Sequence, residues 1–225
     1  MSHSATGCRT DVPFDERLRR ALNISVALIG IVITAPLMFL VALIVKLESR
    51  GPAIYRQQRV GLDQRARSPS VVTDRRRNDA GGRVFVIYKV RTMTAASSDC
   101  QERWATKDDS RITRVGGFLR ATRIDELPQL FNVLKGDMNI VGPRPEQPAI
   151  FAKMRSEVSR YPDRQKVLPG ITGWAQINLG YDTSIEDVAR KVDLDLEYIG
   201  KRTAAEDLAI MARTMPVMVF RKVWM

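Results

Sequence analysis

Apolar residues are spread unevenly along this chain. Residues 22–45 carry no charged side chain, and about 20 such residues suffice to cross a bilayer. Pro36 divides the stretch into arms of about 21 Å and about 14 Å as helices, against a hydrocarbon core about 30 Å thick. Neither arm crosses alone. Arg17, Arg19 and Arg20 precede the stretch, and Lys46, Arg50, Arg56 and Arg59 follow it. The positive-inside rule favours cytoplasmic placement for both basic flanks. The pattern therefore predicts a re-entrant helix–break–helix anchor bending at Pro36. Thr34 stands near enough to satisfy the carbonyl freed at the bend. Hydropathy alone favours the alternative, a single spanning helix.

Beyond the anchor the period of the pattern changes. Residues 53–60 and 84–90 read as strands, the second rich in β-branched and aromatic side chains. Between them, 63–83 is polar, with Arg65, Arg67, Arg75, Arg76, Arg77 and Arg83. It reads as a solvated loop, or as a basic element against anionic headgroups. Residues 104–110 read as a connection. Ile112, Val115, Phe118 and Leu119 then fit a short amphipathic helix, flanked by Arg111, Arg114, Arg120 and Arg123. Leu127, Leu130, Phe131 and Leu134 fit another, stopped by Gly136. Pro128 fits only a first turn, so that helix starts near Asp125. Residues 182–198 give an amphipathic helix with Ile185, Val188, Val192 and Ile199 inward. Residues 204–220 give a last one, rich in methionine and valine. It runs into Arg221, Lys222 and Trp224 and suits a membrane interface or a buried core. The expected fold is α+β, mostly α: a re-entrant anchor, then a cytoplasmic domain with a small β element and interfacial amphipathic helices. The expected division is a tail at 1–16, the hairpin with its flanks at 17–50, and a catalytic domain at 51–225.

Composition narrows the chemistry. A net charge of +11 favours anionic partners: nucleic acid, acidic lipid or phosphorylated substrates. The two cysteines, Cys8 and Cys100, lack metal-ligand spacing and make no disulfide framework. The single histidine, His3, lies in a polar terminus, which weakens histidine-based catalysis. The glycine-rich loops of NTPases and dinucleotide enzymes are missing, and no nucleic-acid motif or internal repeat is evident.

The most informative segment is 123–145. Asp125 and Glu126 stand side by side at a helix start, where the dipole keeps carboxylates ionised. Adjacent carboxylates can share a divalent cation, and one can act as a nucleophile. Arg144, between Pro143 and Pro145, is placed to clamp a phosphate through paired hydrogen bonds. Read alone, the pair is an N-cap aspartate and a first-turn glutamate; Arg144 shifts the balance toward phosphoryl transfer. Lys89 and Arg91 end the second strand on one face, and lone basic residues there are usually surface solubilisers. Trp174 reads most simply as core packing, and Asp137 as a turn residue.

This segment resembles the core of the bacterial sugar transferases, the monotopic polyprenyl-phosphate phosphoglycosyl transferases. Ala35-Pro36-Leu37, Gly51 to Gln57, Tyr88-Lys89-Val90-Arg91-Thr92-Met93 and Pro169 to Gln176 match in order. The likeness runs from about Phe14 to the C-terminus, departing at 64–82, where the family has a tight turn; that stretch is expected to be a flexible insertion. The resemblance implies a re-entrant anchor broken at Pro36. It implies transfer of a hexose-1-phosphate, galactose or glucose first, from a UDP-sugar to undecaprenyl phosphate, with release of UMP and initiation of an exopolysaccharide or related glycan. Asp125 would attack the β-phosphorus, with Mg²⁺ held by Asp125 and Glu126. Lys89, Arg91 and Arg144 would hold phosphate oxygens, Asp137, Pro143 and Pro145 would support the site, and Trp174 and Gln176 would border the nucleotide. It further implies contact with membrane lipid, the bacterial cytoplasmic membrane as location, and no nucleic-acid partner; a homodimer is left open. Two rivals stay open at this point: a glycosyl transferase or glycosidase acting at the anomeric carbon, and a membrane-tethered basic binding module. The transferred sugar and the polymer made are not legible.

Overall fold

The computed structural model describes residues 12–63, 81–94, 109–180 and 184–220, with side chains described for 15–63, 81–94, 109–180 and 184–216. Outside the described residues lie the tail through residue 11, positions 64–80 of the expected insertion, 104–108 of the expected connection, Asp182, and the basic end at 221–225.

Helix α1 (Val12–Glu48) contains Pro36 and stays helical through it. The expected break into two helices is therefore corrected: one helix accommodates the missing N–H of Pro36. Thr34 Oγ1 donates to Gly30 O at 2.7 Å, not to Val32 O, the carbonyl that proline deprives of its partner. Only 11 % of the most apolar window of α1 is buried against protein, so it is long and apolar enough to cross a membrane and is not a core helix. Both ends nevertheless grip the rest of the chain. At the N-terminal end Arg19 pairs with Asp207, Arg20 donates to Val133 O and Leu134 O, and Asn23 Oδ1 accepts from Ile140 N. At the other end Val41 and Val45 pack with Ala53, Val90 and Leu119. Between these grips Val32, Ile33 and Phe39 are exposed.

Strands β1 (Ile54–Val60) and β2 (Val84–Val90) form an antiparallel pair, Tyr55 opposite Lys89 and Arg59 opposite Phe85, matching the expected strands. Helix α2 (Arg114–Ala121) follows, its N-cap Thr113 accepting from Gly116 N. Leu119 is buried there while Phe118 is 62 % exposed, so only part of the expected apolar face turns inward. A 3₁₀ segment (Ile124–Gln129) leads into helix α3 (Leu130–Lys135). The expected single helix from Asp125 thus divides into a tight turn and a regular helix. Pro128 lies in the tight turn, where its lost donor is tolerated. Gly136, at φ 82°, ends α3 in the left-handed region as expected. Fully buried Asn132 of α3 takes the place of a further strand at the β2 edge: its Nδ2 donates to Val86 O and its Oδ1 accepts from Tyr88 N.

Two three-residue strands, unforeseen in the sequence, come next. Strand β3 (Asn139–Val141) pairs in parallel with β4 (Gly170–Thr172). A Cβ on Gly170 would sit 2.1 Å from Gly142 N, so the close approach of the two Pro-Gly segments requires glycine. Helix α4 (Pro148–Glu157) and a 3₁₀ turn (Tyr161–Lys166) connect these strands. Helices α5 (Trp174–Asn178), α6 (Ile185–Lys201) and α7 (Ala204–Phe220) complete the chain. On α6, Val188 and Val192 are buried but Ile185 is 48 % exposed; it occupies the first helical position, beyond the edge of the core. On α7, Ile210 is buried while Leu208 and Met215 face outward.

The main core gathers Phe85 and Ile87 of β2, Leu130 and Val133 of α3, Ile140 and Val141 of β3, Tyr198 of α6, Ile210 of α7 and Ala27 of α1. The first half of α1 is therefore part of the folded domain rather than a free anchor. A second cluster joins Val60, Phe151, Met154, Tyr161, Val188 and Val192.

Candidate active site

The acid pair sits in the 3₁₀ turn beside the β2 strand. Arg123, which precedes the turn, holds φ 57°, a left-handed conformation that costs a non-glycine residue energy and marks functional sites. The turn buries both carboxylates, with Asp125 7 % and Glu126 6 % exposed.

Their surroundings differ sharply. Glu126 Oε1 accepts from Lys89 Nζ at 2.9 Å and from Arg144 Nη2 at 3.2 Å. Its Oε2 accepts from Arg123 Nη1 at 2.9 Å. Burial alone would raise the pKa of Glu126; Lys89, Arg144 and Arg123 overcome it and hold the carboxyl well below its usual range. The Asp125 carboxylate takes no hydrogen bond among the described residues. Burial, then the neighbouring Glu126 charge, push it up to about 6. Burial likewise lowers Lys89, with Glu126 opposing the shift and Arg144 adding to it.

Arg144 is positioned from behind. Pro143 O accepts from Gly170 N, Arg144 O from Arg164 Nη2, Pro145 O from Arg59 Nη1 and Glu146 O from Val60 N. Four successive carbonyls are thus tied to three elements. Arg164 is itself held by Asp195 of α6 at 2.7 Å, both side chains 2 % exposed. This order fixes the loop, so the guanidinium of Arg144 is positioned in advance instead of searching among conformations.

A small cleft of about 10 Å³ is lined by Arg59, Ile87, Lys89, Glu126, Gln129, Arg144, Pro145 and Gly170. It joins Lys89, Glu126, Arg144 and Pro145 of the expected set. Asp125 and Pro143 adjoin lining residues in the chain without lining the cleft themselves, and the other expected residues lie elsewhere. Arg91 is turned away, donating to Val45 O, Ser49 O and Arg50 O. It closes the C-terminal end of α1 and does not reach the cleft, because it lies past the end of β2, where strand alternation no longer sets its direction. Asp137 lines a separate cavity of about 210 Å³ with Arg83, Phe85 and Leu168. No hydrogen bond or ion pair joins Asp137 to Arg144 among the described residues. Trp174 stacks under Arg213, 5.5 Å from its ring centroid, and packs on the main core. Gln176 is buried, its Nε2 near Ile171 O. Neither lines the cleft: Trp174 turns toward α6 and α7, and Gln176 turns back to β4. Pro36 stays within α1, distant in sequence and contact from the cleft.

Sequence reasoning missed Gln129, Arg59 and Arg164 as site residues. Gln129 could have been found one helical turn beyond Asp125. Arg59 and Arg164 carried no local signal, since their partners Pro145, Asp195 and the Arg144 carbonyl come from other elements. Of the arginines that flank the expected short helix, Arg123 holds Glu126, whereas Arg120 Nε donates to Thr92 Oγ1.

The donor set fits a divalent cation. Magnesium is held by one or two carboxylates, its remaining positions going to water and substrate phosphate. Asp125 offers an uncommitted carboxylate and Glu126 Oε2 a remaining lone pair.

Residues 14–221 match the family described as bacterial sugar transferase. The chain is 39 % identical over 198 residues to the UDP-N-acetylgalactosamine-undecaprenyl-phosphate N-acetylgalactosaminephosphotransferase of Aeromonas hydrophila, covering 88 % of this chain and 43 % of that protein. It is 40 % identical over 200 residues to the UDP-glucose:undecaprenyl-phosphate glucose-1-phosphate transferase of Escherichia coli (strain K12), covering 88 % and 39 % respectively. A similarly described protein of Caulobacter vibrioides is 38 % identical over 200 residues, covering 88 % and 68 %. The chain spans about two fifths of the length of the first two relatives. The acid pair, the Pro-Arg-Pro loop and all but the first two residues of α1 fall within the matched span, and the chain belongs to the bacterial sugar transferase family.

Proposed function

We propose that this chain transfers a hexose-1-phosphate, glucose or galactose first, from a UDP-sugar to undecaprenyl phosphate. The products are UMP and an undecaprenyl-diphosphate sugar, the start of an exopolysaccharide or related glycan. The observation that carries the reading is the contrast within the acid pair. Three cations neutralise Glu126, while Asp125 keeps its carboxylate uncommitted a residue away.

An oxygen of Asp125 attacks the β-phosphorus. A P–O bond forms, and the bond to the bridging oxygen breaks, so UMP leaves with that electron pair. An oxygen of the lipid phosphate then attacks the same phosphorus and returns the carboxylate of Asp125. Lys89 and Arg144 attract phosphate oxygens throughout, and their charge offsets what builds up in the transition state. Because Asp125 titrates near 6, most of it is ionised at neutral pH and it remains a better nucleophile than an ordinary, weakly basic aspartate. Bound Mg²⁺, held by Asp125 and Glu126, would supply further charge neutralisation at the diphosphate.

Seating in the membrane follows from α1. Its two gripped ends leave about nine residues between Ile31 and Val41 clear of the domain, about 13 Å of helix, too short for a crossing of about 30 Å. This supports a helix that dips into the membrane without crossing it and without a break at Pro36, both ends and the acid pair being on the cytoplasmic face, where a soluble donor meets a lipid acceptor.

The test is to incubate membranes carrying the full chain with UDP-sugar labelled in the β-phosphate. Label on the polypeptide, UMP as nucleotide product, and loss of both in Asp125→Asn are expected. UDP as the product, or labelling that survives Asp125→Asn, sinks the proposal.

A further inference from the structure

Among the described residues, two side chains that line the cleft each carry a buried donor without an acceptor. Gln129 is 3 % exposed and its Nε2 is buried without a partner. Arg59 Nε is buried and equally unmatched. Both residues line the one cleft that also holds Lys89, Glu126 and Arg144. Orphaned buried donors are rare in folded proteins, because each has given up water for nothing. Two around one space need a common explanation.

Among the residues that line the cleft most acceptors are already engaged; Asp125, whose carboxylate is uncommitted, does not line it. Glu126 Oε1 serves Lys89 and Arg144, and Oε2 serves Arg123. Pro145 O serves Arg59 Nη1, Pro143 O serves Gly170 N, and Arg144 O serves Arg164. The space is therefore rich in N–H groups and poor in oxygen. A water molecule there would receive hydrogen bonds readily but find few acceptors for its own protons. An oxygen of a phosphate has no protons to place. The volume, about 10 Å³, matches one oxygen-sized group rather than a whole phosphate.

We infer that Gln129, through its side-chain amide and together with Arg59 Nε–H, receives one non-bridging oxygen of the substrate diphosphate in this cleft. The inference rests on the nucleotide-sugar reading above and adds to it two contact residues. In this arrangement Lys89 and Arg144 supply charge, while the amide of Gln129 supplies direction: an N–H fixed by the 3₁₀ turn that also carries Asp125. The nucleophile and the donor that orients its target thus ride on the same turn, and their separation does not depend on loop motion.

The test is calorimetric titration of UDP into the detergent-solubilised full chain, alongside Gln129→Met and Gln129→Glu. Methionine keeps the length and loses the donor; glutamate keeps the shape and opposes the phosphate with charge. Wild type is expected to bind UDP, Gln129→Met at least tenfold more weakly, and Gln129→Glu more weakly still. Binding within twofold of wild type in both variants overturns the inference and leaves the orphan donors to a trapped water. Should methionine prevent folding, judged by loss of a cooperative melt, the isosteric glutamate variant decides the question. Wild-type binding of UDP without turnover would remove the transferase reading while the comparison of variants still decides the role of Gln129. No UDP binding by the folded wild type removes both.

Discussion

Two buried ionic sites lie on either side of the Arg144 loop, and they are built on opposite terms. Behind the loop, Arg164 and Asp195 are each 2 % exposed and paired at 2.7 Å. The guanidinium has its remaining contacts in the Arg144 carbonyl and the Tyr161 ring. Burial raises Asp195 and its arginine opposes the shift; one charge answers the other. In front of the loop, Lys89, Arg123 and Arg144 converge on Glu126, Asp125 is left unmatched, and Gln129 and Arg59 hold idle donors. Equal burial thus serves a closed pair on one side and an unfinished one on the other. A finished pair fixes geometry, and an unfinished one waits for a ligand whose charges and oxygens complete it.

The comparison breaks most completely at Asp125. Asp125→Asn is expected to lower formation of the lipid-linked sugar by about a thousandfold or more, measured with labelled donor. The same variant is expected to melt higher at neutral pH in metal-free buffer. Because the folded carboxyl titrates near 6 against an ordinary 3.8, its protonated form favours the fold. That stability is fully present below about pH 4 and is lost as pH rises through about 6, up to about 3 kcal/mol for a shift of about two units. Chemical denaturation at pH 4 and pH 7 checks the sign: wild type and variant should differ more at pH 7. Activity of the wild type should fall as pH drops through about 6.

On the closed side, Asp195→Asn leaves Arg164 buried without its charge partner. A loss of about 3–5 kcal/mol in denaturant unfolding is expected. Arg164→Met combined with Asp195→Leu should recover much of it, since neither charge remains. A smaller effect is expected from Arg144→Lys, which keeps charge but loses the planar fork: about 10–100-fold in kcat/KM with the melting temperature unchanged. Arg91→Met, removing the bonds to three carbonyls at the end of α1, should cost about 1–3 kcal/mol of stability and leave the KM for donor within about twofold. Smallest of all, Trp174→Phe should shift the KM for the UDP-sugar by less than about threefold, because the ring packs on the core and under Arg213. A larger shift would restore the expectation that this side chain borders the nucleotide.

How far the sequence reached depends on the range of the interactions involved. The β2 strand was legible because β-branched and aromatic residues fill it, and β1 because it is a run of strand length between the anchor and the polar stretch from 63. The stop at Gly136 and the placing of Asp125 and Glu126 in a first turn were legible because glycine and proline act on the backbone locally. The β3 and β4 strands were not, since three residues are too few for any period to register. Arg91 was placed on the face of Lys89 by extending strand alternation one position too far, and its expected phosphate role came from the resemblance. Its true partners, at Val45, Ser49 and Arg50, stand more than forty residues back. Gln129 was within reach through its spacing from Asp125, but what distinguishes it and Arg59 is a partner each lacks, and a deficit leaves no mark on a string of letters. The continuity of α1 through Pro36 shows that one lost hydrogen bond does not suffice to end a helix surrounded by good helix formers.

Arg91 has one more consequence. Its guanidinium grasps the last carbonyls of α1, and two residues earlier on the same backbone Lys89 reaches Glu126. Helix α1 and the cleft are therefore coupled by a rigid strut, not by a hinge. On the proposed membrane seating, this strut sets the height of the cleft above the lipid tails, as a gauge block sets the height of a cutting edge, and a helix that sank deeper would draw the lysine down with it.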